Sequence, residues 1–287
     1  MQTIAASLRL SSASLLVATS TGNGKFTHAL AMHTECHIAD FRVLYADDDL
    51  VAVHKPAGLL VHRSALDRRE TRFALQMTRD ALGQRVFPLH RLDKATSGVL
   101  LFARHAEAAR IVAARLARRE LRKTYLAVVR GWPDAAGVID SPLHYERDEY
   151  AEPERDVQSE PQSARTRFEC LATTTLDQAL GRYAQQRYAL VALHPETGRK
   201  HQLRRHLRRI NHPIIGDVNH GDRHHNHLFF AWRGYHRLYL AATALQLAHP
   251  RTGETLCIAA PPQQDFVHTC AALDLPLPTT TVPSRCD

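Results

Sequence analysis

Residues 90–103 read HRLDKATSGVLLFA, in which a single carboxylate, Asp93, stands between the cations Arg91 and Lys94 and the chain then turns apolar. The run from Gly98 to Ala103 is short, continuous and apolar, the signature of a strand buried on both sides. The segment therefore carries an isolated aspartate to the end of a core strand. Flanking cations favour the ionised carboxylate, which suits a base or a nucleophile better than an acid. The ordinary role of an aspartate in such a loop is to cap a turn or a helix. The rest of the chain has to decide between the two.

Outward from this stretch, the pattern predicts a mixed α/β fold of the α+β type, with a largely antiparallel sheet flanked by helices. FRVLYADDDLVAVHKP (41–56) has two apolar runs around an acidic turn and predicts a β-hairpin closed by Pro56. RETRFALQMTRDALG (69–83) has helical spacing and a glycine stop. HAEAARIVAARLARREL (105–121) is alanine-rich, with Ile111, Val112 and Leu116 on one side, and predicts a helix with a basic face. KTYLAVVRG (123–131), ARTRFECLA (164–172), RYALVALHP (187–195) and RLYLAATALQLAHP (237–250) read as strands between turn-rich segments. No internal repeat is present.

Composition limits the function classes. The chain has 287 residues, 44% hydrophobic and 23% charged, enough to bury a full core. A formal charge of +8 favours an anionic partner, of which nucleic acid is the commonest. The five cysteines form no CxxC pair, which argues against a disulfide framework or a cysteine-built zinc site and favours a reducing cytoplasm. No apolar run approaches the roughly 20 residues of a membrane-spanning helix, so a membrane role is not expected.

Two strings carry a family resemblance. HRLDKATSG (90–98) fits the pattern HRLDxxTSG and resembles the aspartate-bearing motif of the RluA family of pseudouridine synthases. PETGRKHQLRRHLRRINHPIIGDVNHGD (195–222) is similar to the family's arginine-bearing motif, HQLR followed by HPIxGD. Between them RKTYLAVVRG (122–131) is similar to the family's tyrosine landmark, here Tyr125. The resemblance spans roughly residues 41–262 and implies one catalytic domain, residues 41–271, with an active-site cleft across the sheet.

It also implies a reaction. The N1–C1′ bond of a uridine within RNA breaks, the base turns while held, and C5 joins C1′, with no cofactor and no metal. Asp93 is then the essential carboxylate; attack at C1′, attack on the base and removal of a sugar proton all remain open. Arg204, the last residue of HQLR, is implied as its ionic partner, and a guanidinium can grip a carboxylate with two parallel bonds. Arg91 is implied to fill the space left by the flipped base, and Tyr125 to stack on the uracil or lie near its C5 proton. His90 and Leu203 line the pocket. Arg199, Lys200 and Arg205, in a stretch with no acid from Thr197 to Gly216, are expected to follow the RNA backbone. The helix bearing Arg115, Arg118 and Arg119, with Arg122 and Lys123 after it, is expected to extend that surface. Within the family the likeness implies a monomer acting on uridine 65 in the T-stem of tRNA. A 23S rRNA target and a catalytically silent RNA-binding protein are the alternatives.

Some stretches stand outside this reading. Residues 1–40 have no counterpart in the family and begin with 34 residues free of acids, as in an over-extended translation start or a targeting segment. ERDEYAEPERDVQSE (146–160) holds seven acids and two arginines and reads as a surface loop. The tail from Ala272 is rich in proline and threonine and is expected to be loosely held. HGDRHHNH (220–227) offers zinc-type ligands, but HExxH is absent and the family string accounts for part of the segment without metal.

Overall fold

A computed structural model of the chain describes residues 40–63, 70–145 and 160–278. The acidic stretch apart from Glu160, residues 1–39 and the last nine residues lie outside this set. The elements in chain order are β1 (Arg42–Ala46), β2 (Leu50–Lys55), α1 (Ala74–Leu82), β3 (Phe87–Pro88), β4 (Ser97–Ala103) and α2 (Ala106–Ala117). There follow β5 (Arg122–Arg130), β6 (Ala136–Asp140), β7 (Arg165–Leu176), β8 (Gln186–Pro195), α3 (Gln202–Arg209), α4 (Arg223–Arg233), β9 (Leu240–Ala248), β10 (Thr255–Ala259) and α5 (Gln264–Ala272).

The ten strands form one sheet in the order β1-β2-β4-β9-β5-β8-β7-β6, with β3 paired to β4 and β10 to β9. Every pairing is antiparallel except β4 with β9, which touch only at Ser97↔Ala241 and Gly98↔Ala242. This short parallel contact joins a small half, β1 to β4, to a larger half built on β5, β8 and β9. A side chain at position 98 would not permit it: an added Cβ would sit 2.0 Å from the Ala242 carbonyl oxygen, and φ is +118°.

Alternation along β2 and β4 assigns the faces. Leu50, Ala52, Val99, Leu101 and Ala103 pack with Ala108 and Val112 of α2. Val51, Val53, Leu100 and Phe102 pack on the other side with Leu92 and the part-buried Tyr125. Leu92 of the opening motif and Tyr125 thus share a face, and α2 lies across the sheet from them. The basic helix expected to extend the RNA surface is thus on the face away from Tyr125. Arg115 is spent on the carbonyls of Ala248 and His249, and Arg118 on Glu120.

The predicted hairpin forms β1–β2, and Asp47 closes its turn by accepting from the amides of Asp49 and Leu50. The helix predicted before Gly83 ends there, with the glycine in the left-handed conformation. Leu273 and Leu275 are buried beside Phe266 and Cys270, so packed chain continues past residue 271, where a loosely held tail was expected. Cys170 and Cys270 are free thiols, whereas Cys257 is disulfide-bonded, so the cysteine count does not exclude a single bridge.

Candidate active site

Asp93 lies in the loop between β3 and β4, a few residues ahead of the β4–β9 contact. Tyr125 of β5 pairs with Ala242, the residue that faces Gly98 in that contact. The two therefore flank the seam between the sheet halves, and the Asp93 charge, after burial, raises the pKa of the Tyr125 hydroxyl.

The loop is pinned from below. Lys55 at the end of β2 is fully buried, and its Nζ donates to the carbonyls of Pro56 (2.9 Å), Leu59 (2.8 Å) and Lys94 (3.0 Å). Three donor contacts take all the protons of an ammonium. Burial nonetheless pushes Lys55 down to about 7, with the nearby Asp93 charge acting against it. The Gly58 amide also donates to the Lys94 carbonyl (2.8 Å), and the Thr96 amide to that of Asp93 (3.0 Å).

The opposite wall is α3, whose sequence QLRRHLRR sorts its side chains by helical spacing. Leu203 and Leu207 enter the core with Leu193 and Leu240. Gln202 and His206 point at the start of β7: Gln202 donates to the Arg165 carbonyl and the Thr166 hydroxyl, and His206 bonds Thr166 and the Ser141 carbonyl. Arg204 turns toward the loop, its side chain only 7% exposed. Its Nη1 donates to Asp93 Oδ2 at 3.1 Å.

The two-pronged grip expected on Asp93 goes elsewhere. Nε and Nη2 of Arg204 both bind Asp217, each at 2.7 Å, and Asp217 is wholly buried where Asp93 is 30% exposed. Burial weakens the charged forms of Arg204 and Asp217, yet their mutual bonds win, holding the guanidinium above its usual range and the carboxyl below its own. Asp217 also accepts from the amides of Asn219 and His220 (3.0 Å each). It follows Gly216, whose φ is +79° and where a Cβ would meet the Arg237 carbonyl oxygen at 1.5 Å. His201, which precedes α3 with φ +53°, stands 3.9 Å from Asp93 Oδ2 and bonds His220 at 3.0 Å. Asp93, Arg204, Asp217, His220 and His201 thus form a closed ring of contacts.

The remaining residues divide. Arg91 is exposed on the same loop. His90 Nε2 accepts from the Leu101 amide (3.2 Å), and burial, then the charge of Lys123, push it down to about 4, so the ring is neutral and braces the loop. Arg199 donates to the Ser163 carbonyl and Arg205 to that of His144, while Lys200 lies half-buried between Arg199 and α3. Sequence reading missed Lys55, Asp217, His201 and His220 as site residues, though each stands in a quoted string.

The histidine-rich segment forms the start of α4, capped by Asp222, which accepts from the amides of His224 and His225. Tyr188 holds His225, and His201 holds His220. A group with ligand spacing lies elsewhere: Asp47, Asp49 and His249. Its carboxylates are already engaged by His249, His105 and Arg251, which makes it an ion-pair cluster tying the β1–β2 turn to the β9–β10 turn.

A two-part sheet with an aspartate and an arginine meeting at its seam defines a pseudouridine synthase catalytic fold. The human RNA pseudouridylate synthase domain containing 4 protein superposes with a TM-score of 0.62 at 26% identity, over 86% of this chain and 98% of that one. The sequence pattern of the RNA pseudouridylate synthase family matches residues 49–209, and the chain belongs to that family. It is 50% identical over 218 residues to a Vibrio cholerae protein named tRNA pseudouridine synthase C, covering 76% of this chain and 89% of that protein. A Haemophilus influenzae protein of the same name is 46% identical over 218 residues, with 76% and 91% covered. The protein is an RNA pseudouridine synthase.

Proposed function

We propose that the protein converts uridine 65 in the T-stem of tRNA to pseudouridine, with Asp93 as the catalytic carboxylate. The observation that carries the assignment to Asp93 is its one-sided restraint: a single 3.1 Å bond from Arg204 fixes the carboxylate's direction while 30% of the side chain stays open to the cleft. A carboxylate held this way can attack C1′ or the base, or take a proton from the sugar, and needs no cofactor for any of these. Tyr125 stacks on the uracil from the β5 side of the seam. Arg91 enters the stem as the base leaves it, offsetting part of the few kcal/mol that unstacking and unpairing cost. The tRNA target is supported by the names of the relatives, and a tRNA substrate implies the cytoplasm. The catalytic unit is one domain running from about residue 41 through Leu275, acting as a monomer.

The test combines two measurements. Asp93→Asn keeps the shape and loses the charge, so release of tritium from C5-labelled uridine in a tRNA transcript should vanish while RNA affinity stays within a few-fold. Tritium release by that variant at a rate near wild type would eliminate Asp93. Mapping pseudouridine in a deletion strain tests the address: loss of a 23S rRNA site alone would overturn the tRNA assignment.

A further inference from the structure

The cations around the seam have partners inside the protein, with one exception. Arg204 is held by Asp217 and Asp93, Lys55 by three carbonyls, Lys94 by Glu70 at 3.1 Å, and the buried Arg237 by Gln263 and Ser97. Lys123 has none. Among the described residues no carboxylate or carbonyl binds its Nζ, and burial lowers its pKa with no opposing charge nearby. A half-buried ammonium without a counter-ion is costly, and an anion arriving from outside would relieve that cost.

Position says which anion. Lys123 lies two residues before Tyr125 on β5 and pairs with Leu245, beyond the β4–β9 contact, where the two strands part. Its charge reaches His90 on the loop of the opening motif. On the other side its Nζ would stand 3.8 Å from a Cβ placed on Gly198, in the loop that leads into α3. Lys123 therefore sits between the segment that carries Asp93 and the segment that carries Arg204, about 7 Å along the strand from Tyr125 at the usual rise per residue.

Resting on the RNA synthase reading, we propose that Lys123 is a phosphate seat inside the cleft, taking a backbone phosphodiester of the substrate strand next to the flipped uridine. This differs from contacts made by the exposed arginines, because the seat is partly desolvated and lies between the loop of Asp93 and the loop that leads into α3. A phosphate bound there fixes the strand on one side of the target while Asp93 meets the sugar or base. It also supplies the charge that Lys123 lacks in the free protein.

The experiment is filter binding of the full chain to an unmodified tRNA transcript between roughly 50 and 200 mM NaCl. Lys123→Met keeps the aliphatic stem and removes the charge. The slope of log Kd against log salt should become shallower by about 0.7–0.9, the value for one phosphate contact, and Lys123→Arg should restore it. Tritium release at subsaturating RNA should fall with the affinity, and at saturating RNA by less than the affinity does, because the seat binds and does not react. If Lys123→Met fails to fold, Gly198→Glu replaces it. Gly198 is exposed, has a backbone conformation open to any residue, and places the new carboxylate beside Lys123. The same loss of slope is expected there.

An unchanged slope in folded Lys123→Met would overturn the seat, and an accompanying fall in the saturating rate would assign Lys123 to the base or to Asp93. The synthase reading is scored separately by wild-type tritium release. Wild-type release with an unchanged mutant slope sinks the seat alone. No release from any RNA, with the slope loss present, sinks the synthase reading and leaves an anion seat.

Discussion

Arg204 joins two carboxylates that the fold treats in opposite ways. Asp217 is wholly buried, takes both prongs of the guanidinium and accepts two backbone amides besides. Asp93 receives one nitrogen and keeps 30% of its side chain open. The difference separates anchoring from chemistry. A buried arginine needs a full counter-charge to exist in the folded state. If Asp93 supplied it alone, the carboxylate would be locked against the arginine and have little capacity left to react. With Asp217 compensating the guanidinium, Arg204 can orient Asp93 with one bond.

This contrast fails most visibly at Asp217. Asp217→Asn leaves Arg204 buried with its main partner neutral, and removing one member of a buried pair costs about 3–5 kcal/mol. The melting temperature should fall by roughly 10 °C. Asp93→Asn, which breaks a single contact to a part-exposed group, should cost no more than about 1 kcal/mol. Equal melting temperatures for the two variants would show that the anchor and the reactive carboxylate are not distinct. The acid limb checks the sign. The Asp217 carboxyl is held below its ordinary range, so its contribution to stability is complete above the unfolded value of about 4 and disappears as pH falls through the lowered one. Wild type should lose stability in that window more steeply than Asp217→Asn.

Arg204→Lys sharpens the same point at a smaller scale. An ammonium keeps the charge but cannot bind Asp217 with two prongs and Asp93 with a third nitrogen at once. If Asp217 retains it, Asp93 loses its orientation. Single-turnover rates should drop about 10–100-fold, with RNA affinity within a few-fold. A variant with normal rate and weakened binding would recast Arg204 as an RNA contact.

The sequence made Asp93 legible because its signal is local: a charged loop entering an apolar strand, within a nine-residue string. Arg204 was legible for the same reason. Their partners were not, because pairing of Arg204 with Asp217 spans 13 positions of chain and depends on the turn made by Gly216. Lys55 read as the end of an apolar strand, and only the folded loop shows the three carbonyls around it. The hairpin, α1 and the central strands followed from periodicity. The strand run at residues 237–250 begins later than expected, at Leu240, because Arg237 turns inward to Ser97 and Gln263. Strands β3, β6 and β10 and the helices α3, α4 and α5 were missed: β3 and VID are too short to alternate clearly, and the histidines at the start of α4 obscure its helical signal.

The smallest effect is expected at Arg91, which is exposed on the same loop as Asp93. Arg91→Ala at this exposed position should change the folding stability by no more than about 0.5 kcal/mol. Its proposed work is done only when a paired base must leave a stem, at a cost of a few kcal/mol that an unpaired uridine does not incur. On a tRNA transcript kcat/KM should fall about tenfold, and on a strand whose target uridine is already unpaired by less than about threefold. The two substrates carry similar phosphate charge, so a lost backbone contact would depress both alike. Equal losses would reduce Arg91 to a phosphate contact and leave the offset of base flipping to another residue of the cleft.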